Sequence, residues 1–383
     1  MTRGCPTGRV DLIGQALFWC IELPKGDLDF VWDEDCDMIL LLHFIQKSWV
    51  AMNLFHHYMN ADGTLNDTLV QNREILYTGT NGRDVERFYV SSSKSYVFKP
   101  LTNDEQEGRE RWVYEHVLPS LPPIYPRLLA CSGPGTDGGG EWMILEDLGP
   151  LHHLHEEETM LRAVGLVAWW HALPTDCFTG LPLRGPKPII EEMAFELYER
   201  KSDVLELCSS LGFSEHQVQR IYVKLEHQSF AQQLVLSHGD LHPGNYALSG
   251  ERLMVLDWEH VHLNIPLWDV YHLIDMSHPL FPRRMTSDLR IRMLDTYLEQ
   301  LELLGIRMDR AAFLLEYGMF AVIFSLWMLL LIHSDLQRIG SDVHRNNNKW
   351  SKEQLKAQLK ETSACLSECA AMMEWDKFNA VNK

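Results

Sequence analysis

Three side chains near the middle of the 383-residue chain have the types and spacing to hold a hard cation beside a base: Asp240, Asn245 and Asp257. Two carboxylates and one amide oxygen form a hard-oxygen set. Mg²⁺ takes such ligands and completes its octahedron with waters and substrate phosphates. Asp240 lies five residues before Asn245, and the intervening Pro243-Gly244 turn can fold the loop so that both side chains face one spot. A carboxylate that accepts a hydroxyl proton next to metal ligands is what phosphoryl transfer to an alcohol requires.

The flanking residues say how these groups are held. Leu234-Val235-Leu236 and Leu253-Met254-Val255-Leu256 are short apolar runs that read as strands. Each delivers an Asp at its C-terminal end, so the cluster is expected at the ends of two adjacent strands. Upstream, Glu74–Tyr77, Arg87–Val90 and Ser95–Lys99 read as three antiparallel strands separated by turns at Thr78–Gly82 and Ser91–Lys94. A helix is expected over about 103–118, capped by Asn103 or Asp104 and ended by Pro119. Trp142–Leu145 reads as a further strand running into a connector, Glu146 to Pro150. Beyond Pro150 the pattern is mainly helical, with helices expected over 156–173, 189–210, 214–229, 267–276, 287–304, 309–335 and 351–374.

His238-Gly239-Asp240-Leu241-His242-Pro243-Gly244-Asn245 followed by Val255-Leu256-Asp257-Trp258-Glu259 resembles the core of the aminoglycoside phosphotransferase and choline kinase family, small-molecule kinases with a protein-kinase-like fold. The twelve-residue interval from Asn245 to Asp257 suits a loop plus a hairpin strand. The resemblance covers roughly residues 70–335. It implies an α+β, two-lobed, protein-kinase-like fold, with a small antiparallel-sheet N-lobe and a large, mainly helical C-lobe. The expected divisions are a helical extension at 1–68, a nucleotide-binding lobe at 69–149, a helical lobe at 150–350, and an amphipathic C-terminal helix and tail at 351–383.

Roles follow from the resemblance residue by residue. Asp240 matches the catalytic base, and Asn245 and Asp257 match the Mg²⁺ ligands. Lys99 matches the lysine that neutralises the α- and β-phosphates of ATP, with GTP the alternative donor; Lys94 is its fallback. The helical partner of that lysine is read as Glu110, because Glu110, Val113 and Val117 share one stripe. Glu107 is the rival. Gly79 and Gly82 lie in the first hairpin turn, where backbone N–H groups would cover the phosphates. Backbone groups between Glu146 and Leu148 would hold the adenine. His238, Asp269 and the Trp169-Trp170-His171 helix end are expected to support the catalytic loop. His152-His153 and His155, with the acids of 156–158, read as a solvated helix entry and not as a metal site.

Two other classes are disfavoured. A silent nucleotide-binding protein would be expected to lack Asp240, Asn245, Asp257 or Lys99, and all four are present. A protein kinase would usually carry H-R-D and D-F-G where this chain has H-G-D and L-D-W-E, and no A-P-E-like segment follows Asp257.

Composition bounds the partners. Apolar residues make up 46% and charged residues 23%, which excludes a mainly disordered chain. With 34 basic and 53 acidic residues, the net charge of −19 disfavours nucleic acid and anionic membrane surfaces. It suggests an acceptor cleft lined by Glu191, Glu192, Glu196, Glu199, Glu259 and Asp275, favouring a cationic or polyhydroxylated acceptor. Eight scattered cysteines without a C-x-x-C pair read as reduced thiols of a cytoplasmic protein, and the N-terminal residues show no secretory pattern. The longest apolar run, Met319 to Ile332, is short of the roughly 18–20 residues of a membrane span and reads as a buried helix.

Overall fold

The computed structural model describes residues 55–133, 140–153, 156–178, 180–226, 230, 233–283, 285–340 and 350–373. The chain divides into two compact units at Leu151/His152.

The first unit is built on five antiparallel strands, β1 (Asn72–Thr78), β2 (Asp84–Ser91), β3 (Lys94–Pro100), β4 (Leu128–Cys131) and β5 (Trp142–Glu146), in the order β1-β2-β3-β5-β4. Alternation along β3 sends Phe98 and Lys99 to opposite faces. Phe98 joins Phe88, Ala130, Trp142 and Ile144 in a core that Leu65, Phe55, Tyr58 and Met59 complete. Residues 55–68 are therefore part of this unit, Asp67 pairing with Arg73 of β1 at 2.8 Å; the rest of the expected N-terminal extension, 1–54, lies outside the described residues.

The helix expected over 103–118 is shorter. Asn103 accepts a hydrogen bond from the Glu105 N–H and caps a single 3₁₀ turn, Asp104–Gln106. Gly108 then adopts a left-handed conformation (φ 72°), its N–H donating to the Glu141 carboxylate at 2.6 Å, and the α-helix starts only at α1 (Arg109–His116). The break removes Glu107 from the helix and leaves Glu110 in its first turn, on the stripe of the fully buried Val113 and Val117.

The second unit contains α2 (Glu157–His171), α3 (Ile190–Glu199), α4 (Lys201–Ser210), α5 (Glu215–Leu225), α6 (Leu267–Ile274), α7 (Ser287–Leu303), α8 (Arg310–Gly340) and α9 (Lys352–Met372). The single helix expected over 189–210 is two, broken at Arg200 (φ −103°, ψ 26°), whose guanidinium bridges Glu196 and Asp203. Two hairpin-sized sheets, β6 (Val235–Ser237) with β9 (His262–Asn264) and β7 (Tyr246–Ser249) with β8 (Arg252–Val255), carry the loops of interest.

By length and composition α8 would span a bilayer, yet 78% of its apolar window is buried inside the unit. α9 is not a detached tail. Leu355, Leu366 and Cys369 are buried, and the Ser325 hydroxyl of α8 donates to Cys365 Sγ at 3.5 Å.

Asp275, expected at an acidic cleft, lies in this core with 4% exposure. Arg290 grips it through Nε and Nη2, both at 2.7 Å, and Tyr317 donates to it at 2.5 Å. Arg290 also reaches Glu368 on α9 at 2.6 Å. Lysine cannot reproduce the planar fork, so Arg290→Lys is expected to cost about 1–3 kcal/mol, read as a lower urea midpoint with an unchanged slope.

Candidate functional site

In the first unit, β3 carries Lys99 inward with 7% exposure. Its ammonium lies 2.8 Å from Glu110 Oε1 and 2.6 Å from Oε2, so the first turn of α1 supplies the carboxylate. A buried ammonium held by a buried carboxylate is a fixed positive point suited to an anionic ligand oxygen. Lys94, by contrast, is exposed at the start of β3, its Nζ 5.7 Å from the Tyr96 ring centre.

The hairpin glycines serve the turn itself. The Gly79 N–H donates to Arg83 O at 2.8 Å, and the Gly82 N–H to Gly79 O at 3.1 Å. Gly82 has φ 81°, and a Cβ on Gly79 would overlap Thr102 at 2.5 Å. In this conformation neither N–H is offered to a phosphate, contrary to the expectation for this turn.

Glu146 ends β5 paired with Tyr96 in the ladder, and its carboxylate bridges Arg127 at 2.9 Å. Asp147 accepts from Arg87 at 2.8 Å, Ser95 at 2.6 Å and the Gly149 N–H at 2.9 Å. Burial alone would raise its pKa, but these bonds outweigh it and hold the carboxyl below its usual range. The segment's carboxylates are thus occupied with holding it to the sheet. Leu148 follows, half-buried.

In the second unit, the loop after β6 is set on one buried carboxylate. Asp269 on α6 accepts from Ser237 Oγ (2.7 Å), the His238 N–H (2.7 Å), the Gly239 N–H (3.1 Å), Trp170 Nε1 (3.1 Å) and His171 Nε2 (3.3 Å). Burial disfavours its charge, but bonds from His171 and Ser237 outweigh this and depress its pKa. Gly239 has φ 87°, and a Cβ there would strike His260 O at 2.1 Å, so only glycine makes this corner. Burial keeps His238 neutral; its Nε2 donates to Leu256 O at 2.9 Å.

That bond and one other bring the cluster together. Asp240 follows β6 and Asp257 follows β8, but these strands belong to different sheets and are not neighbours. Leu256 joins the two: its carbonyl accepts from His238, and its N–H donates to Asn245 O at 2.8 Å, extending the β7–β8 ladder. Asn245 therefore sits beside the residue that precedes Asp257. Its Nδ2 donates to Asp240 O at 2.8 Å, which turns the amide oxygen, a hard ligand, the other way. Asp257 is the one described non-glycine residue with positive φ, 61°. The donor set, an oriented amide oxygen and a carboxylate, suits Mg²⁺.

The Asp240 carboxylate carries a partner that the sequence did not reveal. Lys187 Nζ lies 2.6 Å from its Oδ1, while Oδ2 faces His242 Nε2 at 3.8 Å. Burial would raise the Asp240 pKa; the Lys187 charge outweighs it, so the carboxyl is ionised well below its usual range. Burial pushes His242 down to about 4 and His272 to about 3, with Lys187 adding to both, so both rings are neutral at pH 7. Only the Pro-Lys-Pro sequence at 186–188, a rigid-turn signal, marks Lys187 in the chain.

The histidines expected at a solvated helix entry are placed in part. The His152 backbone pairs with Leu248 and His153 Nδ1 lies 3.1 Å from Tyr246 O, while His155 lies outside the described residues. Of the expected acidic lining, Glu192 pairs with Arg184, Glu196 with Arg200, and Glu259 with His260, while Glu191 and Glu199 are exposed. With Asp275 held by Arg290 in the core, three of the six carboxylates are thus paired with an arginine.

The sequence profile of the phosphotransferase enzyme family matches residues 80–314. Comparison with curated protein sequences gives no significant match. Among solved structures, the chain is similar to choline kinase from Cryptosporidium parvum, at 13% identity and TM-score 0.51, covering 86% of this chain and 97% of that one. It is also similar to a Ralstonia eutropha protein provisionally described as an aminoglycoside phosphotransferase, at 14% identity and TM-score 0.50, covering 80% and 95%. A third likeness is choline kinase LicA from Streptococcus pneumoniae, at 16% identity and TM-score 0.47, covering 80% and 95%. At such identities the first two likenesses concern the fold alone, which is the α+β, kinase-like one expected from the sequence.

Proposed function

Since the chain belongs to the phosphotransferase enzyme family, its matched segment spanning residues 80–314, we propose that it moves the γ-phosphoryl group of ATP or GTP to a hydroxyl of a small molecule, with Mg²⁺. The observation that carries this reading is the loop from His238 to Asn245. There the backbone of Asp240 holds Asn245, while its side chain is held through Oδ1 alone, by Lys187 at 2.6 Å. Asp240 would orient the acceptor hydroxyl and receive its proton. Asn245 and Asp257 would hold the ion, which when bound neutralises phosphate charge. Lys99, fixed by Glu110, would take the α- and β-phosphate oxygens.

The direct test is a coupled phosphotransfer screen of the purified protein against hydroxylated small molecules: amino-alcohols, sugars, aminoglycosides and macrolides. Product formation with one of them, dependent on Mg²⁺, supports the reading. Absence of both nucleotide binding and product would remove it.

The two lysines of β3 separate within the same assay. Lys99→Ala is expected to raise the KM for MgATP by about tenfold or more, because a buried charge-assisted contact is lost, whereas Lys94→Ala changes it by less than about twofold. Glu110→Gln should follow Lys99→Ala in direction, and Glu107→Gln should not. Equal effects of the two lysine substitutions would remove Lys99 from the nucleotide site.

The four described free cysteines, 131, 208, 365 and 369, are all buried, which supports a reducing compartment, the cytoplasm.

A further inference from the structure

The segment between Leu181 and Ile189 contains Pro182, Gly185, Pro186 and Pro188 and has no regular structure of its own. It is nevertheless pinned. Pro182 O accepts the Leu263 N–H at 3.0 Å, tying the segment to β9, which is paired with β6. Gly185 packs on the His262 ring so tightly that a Cβ would lie 2.5 Å from it. Pro186 and Pro188 bracket Lys187, fixing φ on both sides, and Pro188 excludes the helical region for Lys187 itself. α3 begins at Ile190 and closes the segment.

The outcome is a lysine carried on a restricted backbone segment, 53 residues upstream of Asp240, with its ammonium 2.6 Å from Oδ1. Both side chains are about one-fifth exposed. An adventitious surface pair joins two flexible side chains; here one partner sits in a proline-bracketed, glycine-packed segment and the other on a loop held by Asp269.

We propose that Lys187 is a positioning residue for phosphoryl transfer: by holding Oδ1 of Asp240 it fixes the carboxylate rotamer and presents Oδ2 to the acceptor hydroxyl. This rests on the phosphotransferase reading. In the step concerned, the acceptor oxygen passes its proton to Oδ2 as its bond to the γ-phosphorus forms. The bond from that phosphorus to the leaving diphosphate oxygen breaks. Without Lys187 the carboxylate rotates about χ1 and χ2, and the fraction aligned for the acceptor falls. Nucleotide affinity is untouched, because Lys187 acts only through Asp240.

The test uses the full-length protein with MgATP as probe and water as acceptor, following phosphate release, and then the acceptor found in the screen. Lys187→Met is expected to lower kcat about 30–100-fold with the KM for MgATP within about threefold of wild type. Lys187→Arg, which preserves the ion pair, should recover to within about tenfold of wild type. In an Asp240→Ala background Lys187→Met should cause no further loss, since residues acting as a unit are not additive. A merely structural lysine would move the melting temperature and KM together with kcat, would show no rescue by arginine, and would lower the rate equally in both backgrounds. A wild-type protein that neither binds nucleotide nor releases phosphate brings down the phosphotransferase reading, and this inference with it. An active wild type whose Lys187→Met variant keeps its kcat, or whose loss persists in the Asp240→Ala background, overturns this inference alone.

Discussion

Asp240→Ala is expected to lower phosphotransfer by about 10²–10⁴-fold while the affinity for MgATP stays within a few-fold of wild type. The geometry makes this a clean experiment. Asn245 is oriented by the Asp240 carbonyl, and the corner before it is set by Gly239 and Asp269, so truncating the Asp240 side chain removes none of the loop's own bonds. The side chain's partner by hydrogen bond is Lys187, which is partly exposed and becomes hydrated when the carboxylate is gone. Turnover and nucleotide titration on the same preparation check the result. Activity within about tenfold of wild type would remove Asp240 from its role, because a general base contributes more than that. Loss of nucleotide binding in parallel would instead mean that the loop had collapsed.

Asp269→Asn is expected to destabilise the protein by about 3–5 kcal/mol and to reduce activity without Asp269 touching substrate. Five donors converge on this carboxylate, which has no solvent exposure. An amide replaces one acceptor oxygen with a further donor, so at least two N–H groups are left facing each other in a buried site. Chemical denaturation reads the loss. The pH dependence has a defined sign. The folded-state pKa of Asp269 is depressed below the unfolded value. Its ionised form therefore stabilises the fold above the unfolded pKa of about 3.9, and this contribution is lost as pH falls toward the folded value. The gap between wild type and Asp269→Asn should be full at pH 7 and should narrow below about pH 4. A gap that stayed constant from pH 7 to pH 3 would mean that the charge on Asp269 does not contribute.

Much of the site could be read from local sequence because its parts are local. Asp240 and Asn245 are five residues apart across a Pro-Gly turn, and the stripe of Glu110, Val113 and Val117 is one helix face. Strands β1, β2, β3 and β5 were legible because glycine, serine or proline follows each of them closely. What escaped was nonlocal. Lys187 sits in an irregular segment whose course is set by bonds to β9, so no periodicity points from it to Asp240. The neighbours of β6 and β8 were misassigned because a three- or four-residue strand carries no information about its partner. Asp275 was expected to line an acidic cleft; its partner Arg290 lies fifteen residues on, across a turn. The break at Arg200 has neither glycine nor proline to announce it. Gly108, by contrast, was a visible breaker inside an expected helix.

The seating of α9 on α8 also bears on how the chain is made. α8 ends at Gly340 and the helix that shields its apolar side ends at Met372, 32 residues later. At roughly 5–20 residues per second, a ribosome needs on the order of 2–6 s to add them. During that interval a stretch of α8 as apolar as a bilayer span is in the nascent chain without its cover. Slow codons between Gly340 and Lys352 would lengthen the exposure and with it the demand for chaperones. Expression yield should therefore depend on translation speed across this junction more than across any loop of the first unit, whose sheet is complete some two hundred residues earlier.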